Sequence, residues 1–280
     1  MNLFIIVIYS KDIYLCSTIT SLLNIDPLYL KNVGLYFYIN GKEDFGPQLK
    51  TVFGNVKVWS YYDGKNVGIV KAYQKAISEV GGNYNWITLL DQDSKIDNRF
   101  MKAIITLPPS RMIDNKVAVA PIVKANNGII LSPTKNFLGR SFSFKSKFGY
   151  PTCINSMSTF KSEFLLQMAP EFPVDFFLDA FDNWLFYRMY KLKLKFMVLY
   201  DVDFYHDISL INPEINDVYW AREMMFLINT CRISIINFPL TFMRFLWRLF
   251  RVVIKTGNVR CLNLVEIYRK YNRLKEDLYN

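Results

Sequence analysis

Short apolar runs alternate with stretches of helical periodicity through the first third of the chain. Leu3 to Tyr9 is an unbroken run of large apolar residues, the pattern of a strand buried on both faces. Leu15, Ile19 and Leu22 then recur at helical spacing and predict a helix from Asp12 to Leu23. Val33 to Ile39 repeats the strand pattern and is closed by the turn dipeptide Asn40-Gly41, and Val56 to Tyr61 predicts a third, shorter strand. After the loop Asp63-Gly64-Lys65-Asn66-Val67-Gly68, a second helix carries Val70, Ala72, Tyr73, Ala76 and Ile77. Trp86 to Leu90 predicts a fourth strand, which ends abruptly in Asp91-Gln92-Asp93-Ser94. This rhythm of βαβ units predicts an α/β protein with a Rossmann-like mixed, mainly parallel sheet flanked by helices.

The pattern continues with a helix from Arg99 to Thr106, stopped by Pro108-Pro109, and a strand from Val117 to Val123. Asn127-Gly128 between apolar runs predicts a hairpin. Phe137 to Tyr150 carries Arg140, Lys145 and Lys147 without a clear period and reads as a mobile loop over a site. Asp175, Asp179 and Asp182 recur among aromatics ahead of a helix through Tyr187, Arg188 and Tyr190, and Lys195 to Tyr205 predicts a last strand. Beyond Trp220 the character changes, which sets an α/β domain over residues 1–220 apart from a basic amphipathic helical region over 221–280. Ile233 to Met243 is apolar and broken by Pro239. Arg244, Arg248, Arg251 and Lys255 fall on one helical face, with Phe245, Leu246, Leu249, Phe250 and Val253 over much of the rest. That pattern suits a helix in an anionic membrane interface and equally a core-packing helix with a solvated basic stripe. Glu266 to Asn280, rich in charge, reads as an exposed terminal helix.

With 280 residues and 51% hydrophobic content, the chain can bury a full core. A net charge of +10 favours an anionic partner: nucleic acid, an anionic membrane or a phosphorylated substrate. The basic residues gather in the C-terminal stretch rather than among aromatics on a sheet or recognition helix, which argues against nucleic acid. Cys16, Cys153, Cys231 and Cys261 lie far apart with no C-x-x-C pair, so neither a zinc site nor a disulfide framework is indicated. The N-terminus lacks a basic leader and a cleavage site, and no run reaches about 18 apolar residues. A cytoplasmic protein, peripheral on the inner face of the cell membrane, is the expectation, and a homo-oligomer is left open.

The chemistry gathers where strands end. Asp91 and Asp93 follow an apolar strand, either as a solvated turn or as hard oxygen ligands for a divalent cation that also holds phosphates. The loop from Asp63 to Gly68 reads both as a phosphate cradle at a helix N-terminus and as a turn with a cap. Acids in a first helical turn suit the helix dipole, but one embedded among Phe and Trp is desolvated and made more basic, as a general base requires. His206, the single histidine, stands beside Asp201, Asp203 and Asp207 after a strand, either as a structural residue or as a further metal ligand.

Taken in order, these stretches resemble family 2 glycosyltransferases, particularly their bacterial rhamnosyltransferase-like branch. Trp86 to Ser94 is similar to the strand and D-Q-D-S motif of that family. Asn66-Val67-Gly68-Ile69 resembles its N-x-G-I segment, Ala120 to Val123 the following strand, and Asn155 to Ser158 the small-residue segment beside the acceptor. Asp175 to Arg188 resembles the acidic block D-x-x-D-x-E-W-x-x-R, His206 the histidine after the next strand, and Tyr219 to Arg222 the Y-Y-x-x-R motif. Departures are Trp184 where the family has Glu, Ile8-Tyr9-Ser10 for T-Y-N, and Tyr38 to Lys42 for V-D-N-G-S.

The resemblance implies a GT-A fold and an inverting, metal-dependent hexosyltransferase working in bacterial surface polysaccharide (O-antigen) synthesis. Asp182 would be the general base, with Asp179 its acidic neighbour. Tyr9, Asn40, Asn66, Gly68, Asp91, Gln92 and Asp93 would contact the donor, and Ser156, Ser158, Trp184 and Arg222 the acceptor. Asp91, Asp93 and His206 would hold Mg²⁺ or Mn²⁺. The partners implied are a dTDP- or UDP-sugar, rhamnose first, and a lipid-linked or oligosaccharide acceptor, with membrane contact through the C-terminal helices. The other reading is a catalytically degenerate protein of the same fold that binds a nucleotide sugar or scaffolds an assembly.

Overall fold

Strand β1 (Asn2–Ile8) is buried along its whole length, and its side chains divide by parity. Leu3, Ile5 and Val7 join one core while Phe4, Ile6 and Ile8 join another, as the twofold repeat of an extended chain demands. Strands β2 (Val33–Ile39), β3 (Lys57–Tyr62) and β4 (Trp86–Asp91) extend this layer in parallel. Strand β5 (Lys116–Lys124) turns back at Asn127-Gly128 into β6 (Ile130–Ser132), the expected hairpin. The computed structural model describes residues 1–9, 12–108, 115–125, 127–137, 140–177, 179–205, 217–234, 238–256 and 269.

Where the sequence suggested a mobile loop over a site from Phe137 to Tyr150, part of the chain is in strands. Strands β7 (Thr134–Phe137), β8 (Arg140–Ser143) and β9 (Tyr150–Thr152) form a separate antiparallel sheet. Each is too short to print a period in the sequence. Phe137 instead packs against Phe142 and Phe148, with ring centroids 6.4 and 5.9 Å away. Strand β10 (Thr159–Lys161) inserts antiparallel between β4 and β5, and β11 (Lys195–Tyr205) closes the far edge parallel to β5. The order across the main sheet is β11-β5-β10-β4-β1-β2-β3. The chain leaves β1 on one side towards β2 and returns on the other as β4. The C-terminal ends of these two neighbours therefore flank the point where the strand order reverses, the place where open α/β sheets form a ligand crevice.

Helices cover both faces. Helices α1 (Ser17–Leu23), α2 (Pro27–Leu30) and α3 (Gly46–Val52) lie on the face of Phe4 and Ile6. Helix α4 (Ile69–Val80) lies on the face of Leu3 and Ile5, and α5 (Asn98–Ile105) returns to the first face. Helices α6 (Ser162–Met168) and α7 (Phe181–Lys191) complete the α4 side. The helix expected from Asp12 begins only at Ser17, because the Asp12 carboxylate caps a short 3₁₀ turn at Ile13–Leu15 instead. Helices α8 (Asp217–Ile233) and α9 (Phe238–Thr256) pack on each other. The boundary expected between residues 220 and 221 thus falls inside α8. Pro239 opens α9 rather than breaking a helix, since its missing N–H is one the first turn does not use.

One glycine locks α4 to the segment ahead of α7. Gly68 has φ of +80°, and a Cβ there would stand 2.7 Å from the carbonyl oxygen of Phe177. The same oxygen accepts the Ile69 N–H at 2.9 Å. Replacement by alanine meets both a left-handed backbone and a backbone clash. Gly68→Ala is expected to lower stability by about 2–4 kcal/mol in urea unfolding. An unchanged midpoint would show that the segment does not rest on this glycine.

Candidate active site

The parity that splits β1 also aims the end of β4. Ile87 and Leu89 enter the core under α4 and α7, and Leu90 enters the opposite one. Asp91 is next in the first series, and its Oδ1 accepts the Tyr73 hydroxyl of α4 at 3.0 Å. Gln92 follows the other parity: its Oε1 accepts the Tyr9 N–H at 2.8 Å and its carbonyl accepts the Thr18 N–H at 3.2 Å. The Thr18 hydroxyl bridges the carbonyls of Asp91 and Ser94, and the Ser94 hydroxyl accepts the Asp91 N–H at 3.2 Å while meeting Ser156. The turn after β4 is therefore held from β1, α1 and the segment before β10. Asp93 projects from it into solvent.

The three acids ahead of α7 separate into different roles. Asp175 pairs with Arg232 of α8. Asp179 receives a two-pronged bond from Arg222 at 3.0 and 3.3 Å, and its carbonyl accepts Asn229 Nδ2 at 3.0 Å. Ala180 then turns the chain through a left-handed conformation, φ +75°, so that Asp182 lies in the first turn of α7. Among the described residues no cation pairs with Asp182. Burial pushes its carboxyl up from 3.8 to about 6, helped by the negative charges of Asp179 and Asp91 and opposed by the N–H of Asn183. Strand β4 and helix α7 thus bring two carboxylates into one electrostatic neighbourhood at the crevice.

Sequence reasoning missed several neighbours of this pair. Tyr73 carried only a core position in its helical period, yet its hydroxyl orients Asp91 and burial pushes that phenol well above its ordinary range. Tyr150 of β9 is buried, its hydroxyl has no hydrogen-bond partner among the described residues, and burial followed by the charge of Asp182 pushes its phenol up. Burial and Asp182 likewise push up the thiol of Cys153. Asn136 of β7 donates to Asn183 Oδ1 at 3.0 Å, which ties the small sheet to the residue beside Asp182. The nearest signal was the position of Tyr150 and Cys153 just before the small-residue segment.

Other expected contacts face inward. Asn40 is buried, with Oδ1 accepting the Val67 N–H at 2.8 Å, and Asn66 Oδ1 accepts the Gly68 N–H at 3.1 Å. Gly68 packs against Phe177 at the start of α4. Ser156 and Ser158 are buried, and their hydroxyls are taken up by Ser94 and by the Ile154 carbonyl at 2.6 Å. Trp184 stacks on Phe181 at 6.1 Å and meets Phe172 edge-on. Arg222 is engaged with Asp179, and Tyr9 is exposed beside the Gln92 turn. His206 lies outside the described residues. Among those described, no group of three or more His, Cys, Asp or Glu gathers as a metal site. Asp203 is held below its ordinary range by Lys124 at 2.8 Å and by Arg99. Asp91 and Asp93 stand two residues apart at the end of β4 and offer the hard oxygen ligands that suit a divalent cation.

No family model matches the sequence, and none of the curated proteins matches it. Solved structures do. The mannosyltransferase PcManGT from Pyrobaculum calidifontis, in complex with GDP-Man and Mn²⁺, superposes with a TM-score of 0.59 at 12% identity over 99% of this chain and 84% of that one. S. aureus TarS 1–349 in complex with UDP-GlcNAc gives 0.51 at 15% identity over 99% and 83%. GalNAc-T7 with UDP, GalNAc and Mn²⁺ gives 0.52 at 11% identity over 79% of this chain and 47% of that one. The fold is the GT-A fold of these glycosyltransferases.

The ion pair between α8 and the acidic loop gives a direct test of how the site is held. The side chains of Arg222 and Asp179 are only 32% and 19% exposed, so removing the cation strands a partly buried carboxylate. Arg222→Met is expected to destabilise by about 1–3 kcal/mol in denaturant unfolding. Adding Asp179→Asn should recover part of that loss, and strict additivity of the two changes would count against the pairing.

Proposed function

We propose that the protein is an inverting, metal-dependent glycosyltransferase that moves a sugar from a nucleoside diphosphate to a saccharide acceptor. The observation that carries this reading is Asp182 in the first turn of α7, a carboxylate without a described cation, pushed up to about 6 by burial and by the charges of Asp179 and Asp91. Such a group accepts a proton near neutral pH far better than an ordinary carboxylate. In this reading Asp182 takes the proton of the acceptor hydroxyl as its oxygen attacks the anomeric carbon. The bond to the diphosphate breaks on the opposite side, which inverts the configuration in one displacement. Asp91, oriented by Tyr73, and Asp93 would hold Mg²⁺ or Mn²⁺ on the donor, and the bound cation offsets the charge that develops on the leaving diphosphate. The buried Tyr150 hydroxyl is a further group for an acceptor oxygen.

The solved neighbours carry GDP-Man and UDP-GlcNAc, which supports a nucleotide sugar of this general kind. The D-Q-D-S turn puts rhamnose on a thymidine or uridine diphosphate first among the donors, for a surface polysaccharide. The test is nucleoside diphosphate release across a donor panel with Mg²⁺ or Mn²⁺. Asp182→Asn is expected to lower kcat by about 10²–10⁴-fold with donor affinity kept. Asp93→Ala should raise the metal concentration needed for half-maximal rate. Full activity in Asp182→Asn, or donor binding without turnover by the wild type, would overturn the catalytic assignment.

The same carboxyl predicts two pH dependences. The rate should rise with pH and level off above about 6, where Asp182 is ionised. Stability should move the other way. The folded acid titrates at about 6 and the unfolded one near 3.8, so between those values the native state binds more protons and loses stability as pH rises. Asp182→Asn removes this loss and should stabilise the protein at pH 8, by about 1–3 kcal/mol, with little effect at pH 3. Denaturant unfolding at the two pH values measures it, and equal effects at both would contradict the shifted carboxyl.

A further inference from the structure

Helix α9 has two unlike faces, and the apolar one that shows is turned outward. Thr241 and Phe245 are buried, whereas Leu240, Met243, Leu246, Trp247, Phe250 and Ile254 are between 40 and 66% exposed. Leu240, Met243, Trp247, Phe250 and Ile254 are spaced alternately by three and four residues, which aligns them as one stripe along a helix. A basic residue follows four of the five directly in sequence: Arg244, Arg248, Arg251 and Lys255. No Asp or Glu occurs between Glu223 and Glu266. No helix among the described residues is long and apolar enough to cross a membrane.

We infer that α9 docks the protein on an anionic lipid surface, with this stripe entering the boundary between headgroups and acyl chains and the basic residues among the phosphates. An exposed apolar stripe, a tryptophan within it and basic residues next to its members in a sequence without carboxylates are what such a boundary accommodates. A second copy of the chain is a poorer occupant. Self-pairing would bring two cationic, carboxylate-free rows together, and like charges across an interface oppose association. Helix α8 packs on α9 and holds the acidic loop through Arg222 and Arg232, so the docked helix pair would also fix how the crevice faces the surface. This inference stands without the transferase reading.

The test uses the full chain and vesicles of phosphatidylcholine with or without phosphatidylglycerol. Co-sedimentation should increase about tenfold or more with the anionic lipid and fall as salt is raised. Trp247 is one of five tryptophans, and emission should shift to the blue on binding, with most of the shift lost in Trp247→Phe. Met243→Glu with Phe250→Glu should lower binding at least about tenfold while the thermal midpoint holds. Equal recovery on both vesicle types, binding indifferent to the double substitution, or no emission shift would overturn the proposal. So would a lipid-free dimer that the double substitution dissolves, which would make the stripe an interface between copies.

Discussion

A carboxylate taken out of water at the start of one helix, close to two further acids, sets the problem the rest of the architecture solves. Burial raises the energy of ionising Asp182 of α7 most, and the charges of Asp179 and of Asp91 at the end of β4 add to it. Left to themselves such groups would move apart or protonate. Their positions persist because both backbones are fixed by contacts that do not involve the carboxylates. The turn after β4 is bonded to Tyr9, Thr18 and Ser94, and the entry to α7 is pinned by Gly68 and by α8. The cost of burying a charge, with the neighbouring acids added, is thereby held as a raised proton affinity at Asp182.

The remaining acids show how that storage is confined to one place. Asp175 and Asp179 are each matched by an arginine of α8, so of the three acids in the block only Asp182 keeps a free charge balance among the described residues. Helix α8 is in this sense part of the site, although it follows the sheet and its composition resembles that of the C-terminal region. A division of the chain by composition separates residues that electrostatics joins.

What was legible in the sequence follows from the range of the forces involved. Strand and helix identities rest on local periodicity, so Val33–Ile39 and Lys195–Tyr205 are found where the apolar runs place them. The aim of Asp91 was also implicit, since the parity of Ile87 and Leu89 carries on to it. The inward use of Asn40, Gly68, Ser156 and Ser158 was not, because their partners Val67, Phe177, Ser94 and Ile154 become neighbours only through turns and crossovers. A motif names the residue type at such a position. Whether its polar atom points to a ligand or to the scaffold is decided by the tertiary fold.

The net charge of +10 illustrates the same distinction. As a single number it suggested an anionic partner, whereas the acids Asp91, Asp93, Asp179 and Asp182 gather where β4 ends and α7 begins, with Asp179 matched by Arg222. Helices α8 and α9, which follow the sheet, carry Arg222, Arg232, Arg244, Arg248, Arg251 and Lys255 against the acids Asp217 and Glu223. A negative crevice and a positive helical region on one chain answer to different partners. The first suits a cation, because carboxylates are hard oxygen ligands. The second acts at a distance set by salt screening, so it can orient the molecule before any contact in the crevice is made.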